Sequence, residues 1–259
     1  MKIEVFDGQG KLVDTLSANS RRGISRVDWL MRLKPPRVPP AASAAFEAAF
    51  GPRVVPGTYT VKMTRGEETY TTPLVVSLDV RAKFTEDDRR QDFEAVMRVY
   101  NLLGDMSFDV DRINGVRDAL AARGGQVKEA DPLHKQLVAM SENLDAMRRK
   151  IVATKEGGAI TGEERIREKT STLYGALTNY EGRPADYQLA RIDSLKKELG
   201  DVETEFEAFV SKDLTVVNKS LTKKKLETVK PIARANWEAA NGDAESGTSR
   251  SAATIKVRH

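Results

Sequence analysis

Not one cysteine occurs in the 259 residues. Disulfides, thiolate metal centres and cysteine nucleophiles are excluded with it. Histidine is nearly absent as well: His134 and His259 are the only two, and the second is the last residue. A multi-histidine zinc site cannot be assembled from that inventory. No run approaches the ~20 apolar residues that a membrane-spanning helix needs. The opening stretch "MKIEVFDGQG" has no apolar core of a signal peptide. The sequence therefore reads as cytoplasmic as written, or as a piece of a longer exported protein.

Hydrophobic residues make up 40% and charged residues 31%, which suits charged helical surfaces on a globular chain. The formal net charge of +4 is unevenly placed. Residues 1–83 hold 13 Lys/Arg against 8 Asp/Glu, and the remainder holds 29 against 30. The basic excess thus lies entirely in the first third, which argues against nucleic-acid binding by the rest.

Residues 2–7, "KIEVFD", alternate apolar and polar side chains, the period of a half-buried strand. "DGQG" supplies a turn, and "KLVDTL" returns as a second strand. "GISRVDWLMRL" at 23–33 is expected to be a third, with Ile24, Val27, Trp29 and Leu33 toward the core. Residues 34–56 then carry six of the ten prolines, which lack a ladder donor, and so form a long excursion. Phe46 and Phe50 lie in its alanine-rich part, where they would pack on their own domain or on a partner. "GTYTVKMT" and "TYTTPLVVSLD" form a hairpin that turns at "RGEE". Five short strands around a small core predict an Ig-like β-sandwich over residues 1–83.

From residue 84 the pattern becomes helical. Thr85 with Asp88 is a capping-box start, followed by Val96, Val99, Leu103, Met106, Val110 and Ile113 at steps of three and four. Gly104 and Gly115 within this run suggest a kink or a close helix contact. Asp131-Pro132 opens a second helix with Leu133, Leu137, Met140, Leu144, Met147 and Ile151, and "EGG" at 156–158 should stop it. Thr161 with Glu164 is a further capping box, before a stripe of Ile166, Thr170, Leu173, Leu177 and Tyr180. After "EGRP", Ile192, Leu195, Leu199, Val202, Phe206 and Phe209 mark a fourth helix, whose stripe then shifts to Leu214, Val217 and Leu221. The expectation is an antiparallel four-helix bundle over 84–222. Residues 223–259 read as a basic to polar tail, largely disordered.

The residues offer little chemistry. "DVDRING" at 109–115 echoes a calcium loop, but Ile113, Asn114 and Leu120 stand where an acidic or amide side chain, glycine and glutamate are required. "GQGK" lacks phosphate-loop spacing. His134 has no second histidine near it in sequence and reads as a surface or packing residue. The pairs Asp87–Asp88, Glu163–Glu164 and Glu203–Glu205 suit exposed helix faces. Lys219, Lys223, Lys224, Lys225 and Lys230 form a basic run that Glu227 interrupts and that lacks aromatics before Trp237. No catalytic residue, metal ligand or cofactor site is expected. If the chain acts by association, Phe46 and Phe50 are the candidate anchors, with Lys34, Arg37 and Arg53 against Glu47 favouring an acidic partner.

The order of parts carries a resemblance. "GISRVDWLMRL", a proline-rich excursion, "GPRVVPGTYTVKMT", "ETYTTPLVVSLDVR" and "TEDDRRQDFEAVMRVYNLL" follow one another, and the last bundle segment runs "PADYQLARIDSLKKELGDVETEFEAFVSKDLTVVNKSL". Over roughly residues 1–222 this resembles the C-terminal region of bacterial exported proteins with a sortilin-like (Vps10-type) propeller, often labelled glycosyl hydrolases or BNR/Asp-box repeat proteins. The first part resembles the Ig-like module of the flagellar hook-cap protein. The resemblance implies a non-catalytic accessory module beside an upstream propeller domain, in the periplasm or secreted. No S-x-D-x-G-x-T-W Asp-box occurs, and Trp29 is followed by Leu-Met-Arg where the family has W-D-L-R. Two alternatives stay open. One is a fragment of a BNR-repeat glycoside hydrolase whose active site lies in the propeller. The other is a stand-alone adaptor for protein, glycan or nucleic acid.

Overall fold

The computed structural model describes residues 1–18, 23–155 and 162–247, leaving aside the side chains of 242–247. It opens with a single antiparallel sheet of four strands in the order β2-β1-β3-β4. These are β1 (Lys2–Phe6), β2 (Leu12–Leu16), β3 (Gly57–Arg65) and β4 (Glu68–Val76). Asp7 closes the first hairpin by accepting the Gln9 and Lys11 N–H groups on Oδ1, and Gly10 takes φ 77°. Gly66, at φ 61°, turns β3 into β4 at the first central position of a two-residue loop.

The expected sandwich is absent among the described residues, and so is the strand at 23–33. That segment is irregular apart from one bridge, Arg32 to Arg53, and Met31 takes a left-handed φ of 55° that a strand cannot hold. Its apolar side chains still reach the sheet. Trp29 and Leu33 pack with Val5, Val13, Val54 and Tyr59, so irregular chain covers the face where a second sheet was expected. Pairing places Ile3, Val5, Tyr59, Val61 and Met63 on that covered side, with Thr58, Thr60, Lys62 and Thr64 of β3 on the other.

The helical part differs from the expected count. α1 (Glu86–Gly124), α2 (Pro132–Ile151), α3 (Ile166–Thr178) and α4 (Asp186–Phe209) are followed by a π turn (Val210–Leu214) and α5 (Thr215–Lys223) in one continuous rod, and then by α6 (Arg234–Gly247). With that rod counted once, five helical segments replace the expected four among the described residues. α1 is about 58 Å long at 1.5 Å per residue and is the element against which α2, α3 and α4 all pack. Thr85 caps it by accepting from Asp88 N, while Asp88 accepts from Thr85 N, as the capping box requires. Asp131 caps α2 through Leu133 N. α3 begins later than expected, with Glu168 accepting the Arg165 N–H, and the expected signals at 156–158 and Thr161 lie outside the described residues.

The stripes from α1, α2 and α4 are buried in one core. Leu103, Met106, Leu137, Leu144 and Leu195 have no exposed surface. In α3 the expected Tyr180 is outside the helix and exposed, whereas Tyr174 is fully buried. Gly104 and Gly115 have nothing within 4 Å of where a Cβ would stand, so neither marks a close helix contact.

Beyond Lys223 the chain is ordered where a tail was expected. Asn218 grips the backbone of Val229 from both sides, donating to its carbonyl at 2.9 Å and accepting its N–H at 2.8 Å. Val229 itself is buried. α6 lays Trp237 against Phe108 of α1 at 5.5 Å between ring centroids, and the indole N–H donates to Asp111 at 2.7 Å. Residues 248–259, the rest of that expected tail, lie outside the described residues.

Candidate interaction site

The excursion that carries the candidate anchors is fastened along its length to the helices. Val38, Ala41, Ala45 and Ala48 join the helical core, and the Ala42 N–H donates to the Ala153 carbonyl at 3.1 Å. Small side chains at 41–45 and 48–49 allow this close approach, and α3 answers with Gly175 opposite Glu47. A Cβ there would stand 2.8 Å from Cβ of Glu47, in the 3₁₀ turn Phe46–Ala48.

The neck of the excursion is closed by three hydrogen bonds. Leu33 N–H donates to Pro52 O at 2.8 Å, Val54 N–H to Met31 O at 2.9 Å, and Arg32 Nη1 to Gly51 O at 2.8 Å. Gly51 is required here, since a Cβ would lie 1.8 Å from the Leu33 carbonyl oxygen. Two helical residues reach across. The hydroxyl of Tyr174, whose pKa burial raises, donates to Phe50 O at 2.8 Å, and Arg89 donates to Arg53 O at 2.8 Å.

On this fixed backbone the two phenylalanine rings point outward. Phe46 is 81% exposed and Phe50 is 60% exposed. Phe50 lies beneath the Arg32 guanidinium at 5.8 Å and lines a hollow of about 270 Å³ together with Leu16, Leu30, Leu33 and Pro35. The hollow's charged residues are mixed in sign: Asp14, Asp28, Arg32 and Lys34. Leu30 and Met31 beside it are exposed too.

The two arginines proposed to accompany the rings are placed elsewhere. Arg53 pairs with Glu181 at 2.5 Å, in a narrow crevice shared with Arg89, Asp92 and Tyr180. Arg37 sits 5.0 Å over the Trp237 ring and donates to the Asn241 carbonyl at 2.5 Å. It lines a different hollow, between the excursion, α1 and α6. The four candidates therefore do not converge on one spot.

Sequence reasoning missed the buried pair below this region. Arg89 and Asp92 meet at 2.9 Å, one helical turn apart, and both are almost fully buried. Burial pushes the Asp92 carboxyl up to about 7; the Arg89 charge opposes that and Glu181 adds to it. A second buried carboxyl, Asp109, is raised by burial and by the charge and hydrogen bond of Glu203 beside it. The spacing Arg-x-x-Asp on the first turns of α1 was the available signal, but nothing local said that it would be covered.

His134 stands at the start of α2 with Nδ1 3.0 Å from the Gly124 carbonyl, bridging the end of α1. Among the described residues no group of three or more His, Asp or Glu side chains could hold a metal ion. No helix among them is long and apolar enough to cross a membrane. In comparisons of this chain with known proteins, no family model, curated protein or solved structure matches it.

Proposed function

We propose that this chain is a non-catalytic interaction module that docks a folded protein partner through Phe46 and Phe50. The partner we favour is the propeller of an exported sortilin-like protein, in the periplasm or outside the cell, with the helical part acting as spacer. The observation that supports the reading is the exposure of two large aromatic rings on a backbone fastened by Tyr174, Arg89 and the Gly51 neck. Fixed aromatics lose little conformational freedom on binding while covering a large apolar area, the property of interface anchors. Arg53 is engaged by Glu181, so the apolar rings and not its charge carry the contact.

The test is a calorimetric titration of a purified sortilin-like propeller against the chain across a salt series. Wild type should bind with modest salt dependence, and the Phe46→Ala, Phe50→Ala double variant should bind at least about tenfold more weakly, a loss of about 1.4 kcal/mol. Both rings are exposed, so the variant should keep its helical circular dichroism. Binding retained in that variant but abolished by neutralising Lys223, Lys224 and Lys225 would refute the reading.

A further inference from the structure

α6 rests on α1 through a short row of contacts. Asp105, Phe108 and Asp111 follow one another at steps of three along α1, and Arg234, Trp237 and Asn241 stand at i, i+3 and i+7 of α6. Arg234 pairs with Asp105 and lies 4.7 Å over the Phe108 ring. Trp237 meets that same ring edge-on and donates its indole N–H to Asp111. From the excursion, Arg37 lies over the indole and donates to the Asn241 carbonyl. A helix that docks in the groove of another protein seats its anchors with this spacing; here the contact is made within one chain.

The fit is shallow and incomplete. Among the described side chains of α6, residues 234–241, Trp237 alone is buried. Arg234, Glu238, Ala235, Ala239 and Ala240 are exposed. Exposed ion pairs add little to stability, so one indole carries most of the hold. α6 also leaves a hollow of about 310 Å³ beside Trp237, lined by Tyr100, Asn101 and Gly104 of α1 and by Pro35 and Arg37 of the excursion. Nothing comes within 4 Å of where a Gly104 Cβ would stand.

We infer that α6 is a displaceable plug in a docking site on α1. A partner helix with arginine and an aromatic anchor three residues apart takes its place and fills the adjoining hollow with a larger apolar side chain. Val229 is held by Asn218, so α6 stays tethered by residues 230–233 and competes at an effective concentration on the order of millimolar. The partner must therefore bind better than α6 does, and the hollow supplies the room. The inference does not rest on the docking proposed for Phe46 and Phe50, although Pro35 borders both hollows.

Fluorescence anisotropy with a fluorescein-labelled peptide of residues 228–247 tests this on the full chain. Trp237→Ala removes the resident anchor, so that chain should bind the peptide at least about tenfold more tightly than wild type, whose own α6 competes. The same peptide with alanine at its tryptophan should bind the Trp237→Ala chain at least about tenfold more weakly. Asp105→Arg, added to that chain, should weaken binding at least about fivefold by charge, with helical circular dichroism unchanged. Leucine placed in the peptide at Ala233, Ala235 or Asn236 should tighten binding at one of these positions at least about fivefold, and Gly104→Leu in the chain should cancel that gain. Equal affinity of wild type and Trp237→Ala, no binding by Trp237→Ala, binding unchanged by Asp105→Arg, or no gain from any leucine would overturn the proposal. A concentration-dependent wild-type dimer that Trp237→Ala abolishes would also overturn it, in favour of the α6 of a second copy as the occupant.

Discussion

Gly51→Ala and Gly104→Ala make the same chemical change and should move stability in opposite directions. At Gly51 the added methyl would stand 1.8 Å from Leu33 O, 2.4 Å from Lys34 O and 2.5 Å from Leu33 C. All three are backbone atoms, so no rotamer relieves the clash and the neck must open. Of its three hydrogen bonds, loss of two at about 1–1.5 kcal/mol each costs about 2–3 kcal/mol. Alanine restricts the unfolded chain and returns about 0.4–1 kcal/mol, which leaves a net loss of about 2 kcal/mol. At Gly104, inside α1, nothing lies within 4 Å and the backbone is helical, so alanine should gain up to about 1 kcal/mol. Guanidinium titrations followed by circular dichroism would place the two midpoints on either side of wild type, with slopes unchanged. A Gly51→Ala midpoint at or above wild type would mean that the neck does not close as described. A lowered Gly104→Ala midpoint would mean that something packs on that face of α1.

Three further outcomes follow from the packing and the buried charges. The Asp92 carboxyl is raised to about 7 in the folded chain against about 3.9 unfolded, so the folded state holds a proton that the unfolded state has released; stability should fall as pH rises from about 4 to 7, and urea midpoints of Asp92→Asn should show a flatter profile over that window. Leu144→Ala and Leu199→Ala, both in the buried seams, should each cost about 2–5 kcal/mol, while Lys224→Ala, which loses a surface pair with Asp131, should cost no more than about 1 kcal/mol; equal denaturant midpoints for all three would contradict the packing. Trp237→Ala should release α6 locally, so amide exchange in residues 234–241 should speed up sharply while the global midpoint barely moves, whereas a large drop in that midpoint would make α6 part of the cooperative core.

The helical stripes could be read from sequence because each repeats a local rule: steps of three and four place Val96 to Ile113, Leu133 to Ile151 and Ile192 to Phe209 on single faces, and all of those residues are buried. The strand pairings of β1 with β2 and of β3 with β4 were legible for a similar reason, since each depends on one short turn. Segment 23–33 was misread because alternation is necessary for a strand and not sufficient. Trp29 and Leu33 do face the sheet, but the left-handed turn at Met31 and the close approach of Gly51 are long-range demands. Trp237 shows the same limit. Its partners Phe108 and Arg37 come from distant parts of the chain, so a lone tryptophan in a polar stretch gave no local sign of being buried. The charges of Arg37 and Arg53 were visible, whereas Asn241 and Glu181, which occupy them, were not. Phe46 and Phe50 were legible as candidates from composition alone, and only the fold placed their rings outward.

The π turn at Val210–Leu214 solves a problem of phase. Phe209 and Leu214 are both buried, yet five residues separate them. In an unbroken α-helix, at about 100° per residue, a five-residue step would leave Leu214 about 140° away from Phe209 around the axis. The wider turn absorbs the surplus residue and returns Leu214, Val217 and Leu221 to the side that Phe206 and Phe209 occupy. The rod is thus two helices of independent length spliced in phase, and the splice tolerates editing. Deleting exposed Ser211 would turn the five-residue step into an ordinary step of four, moving the face by only about 40°. What this rod must keep from one end to the other is an angle and not a residue count.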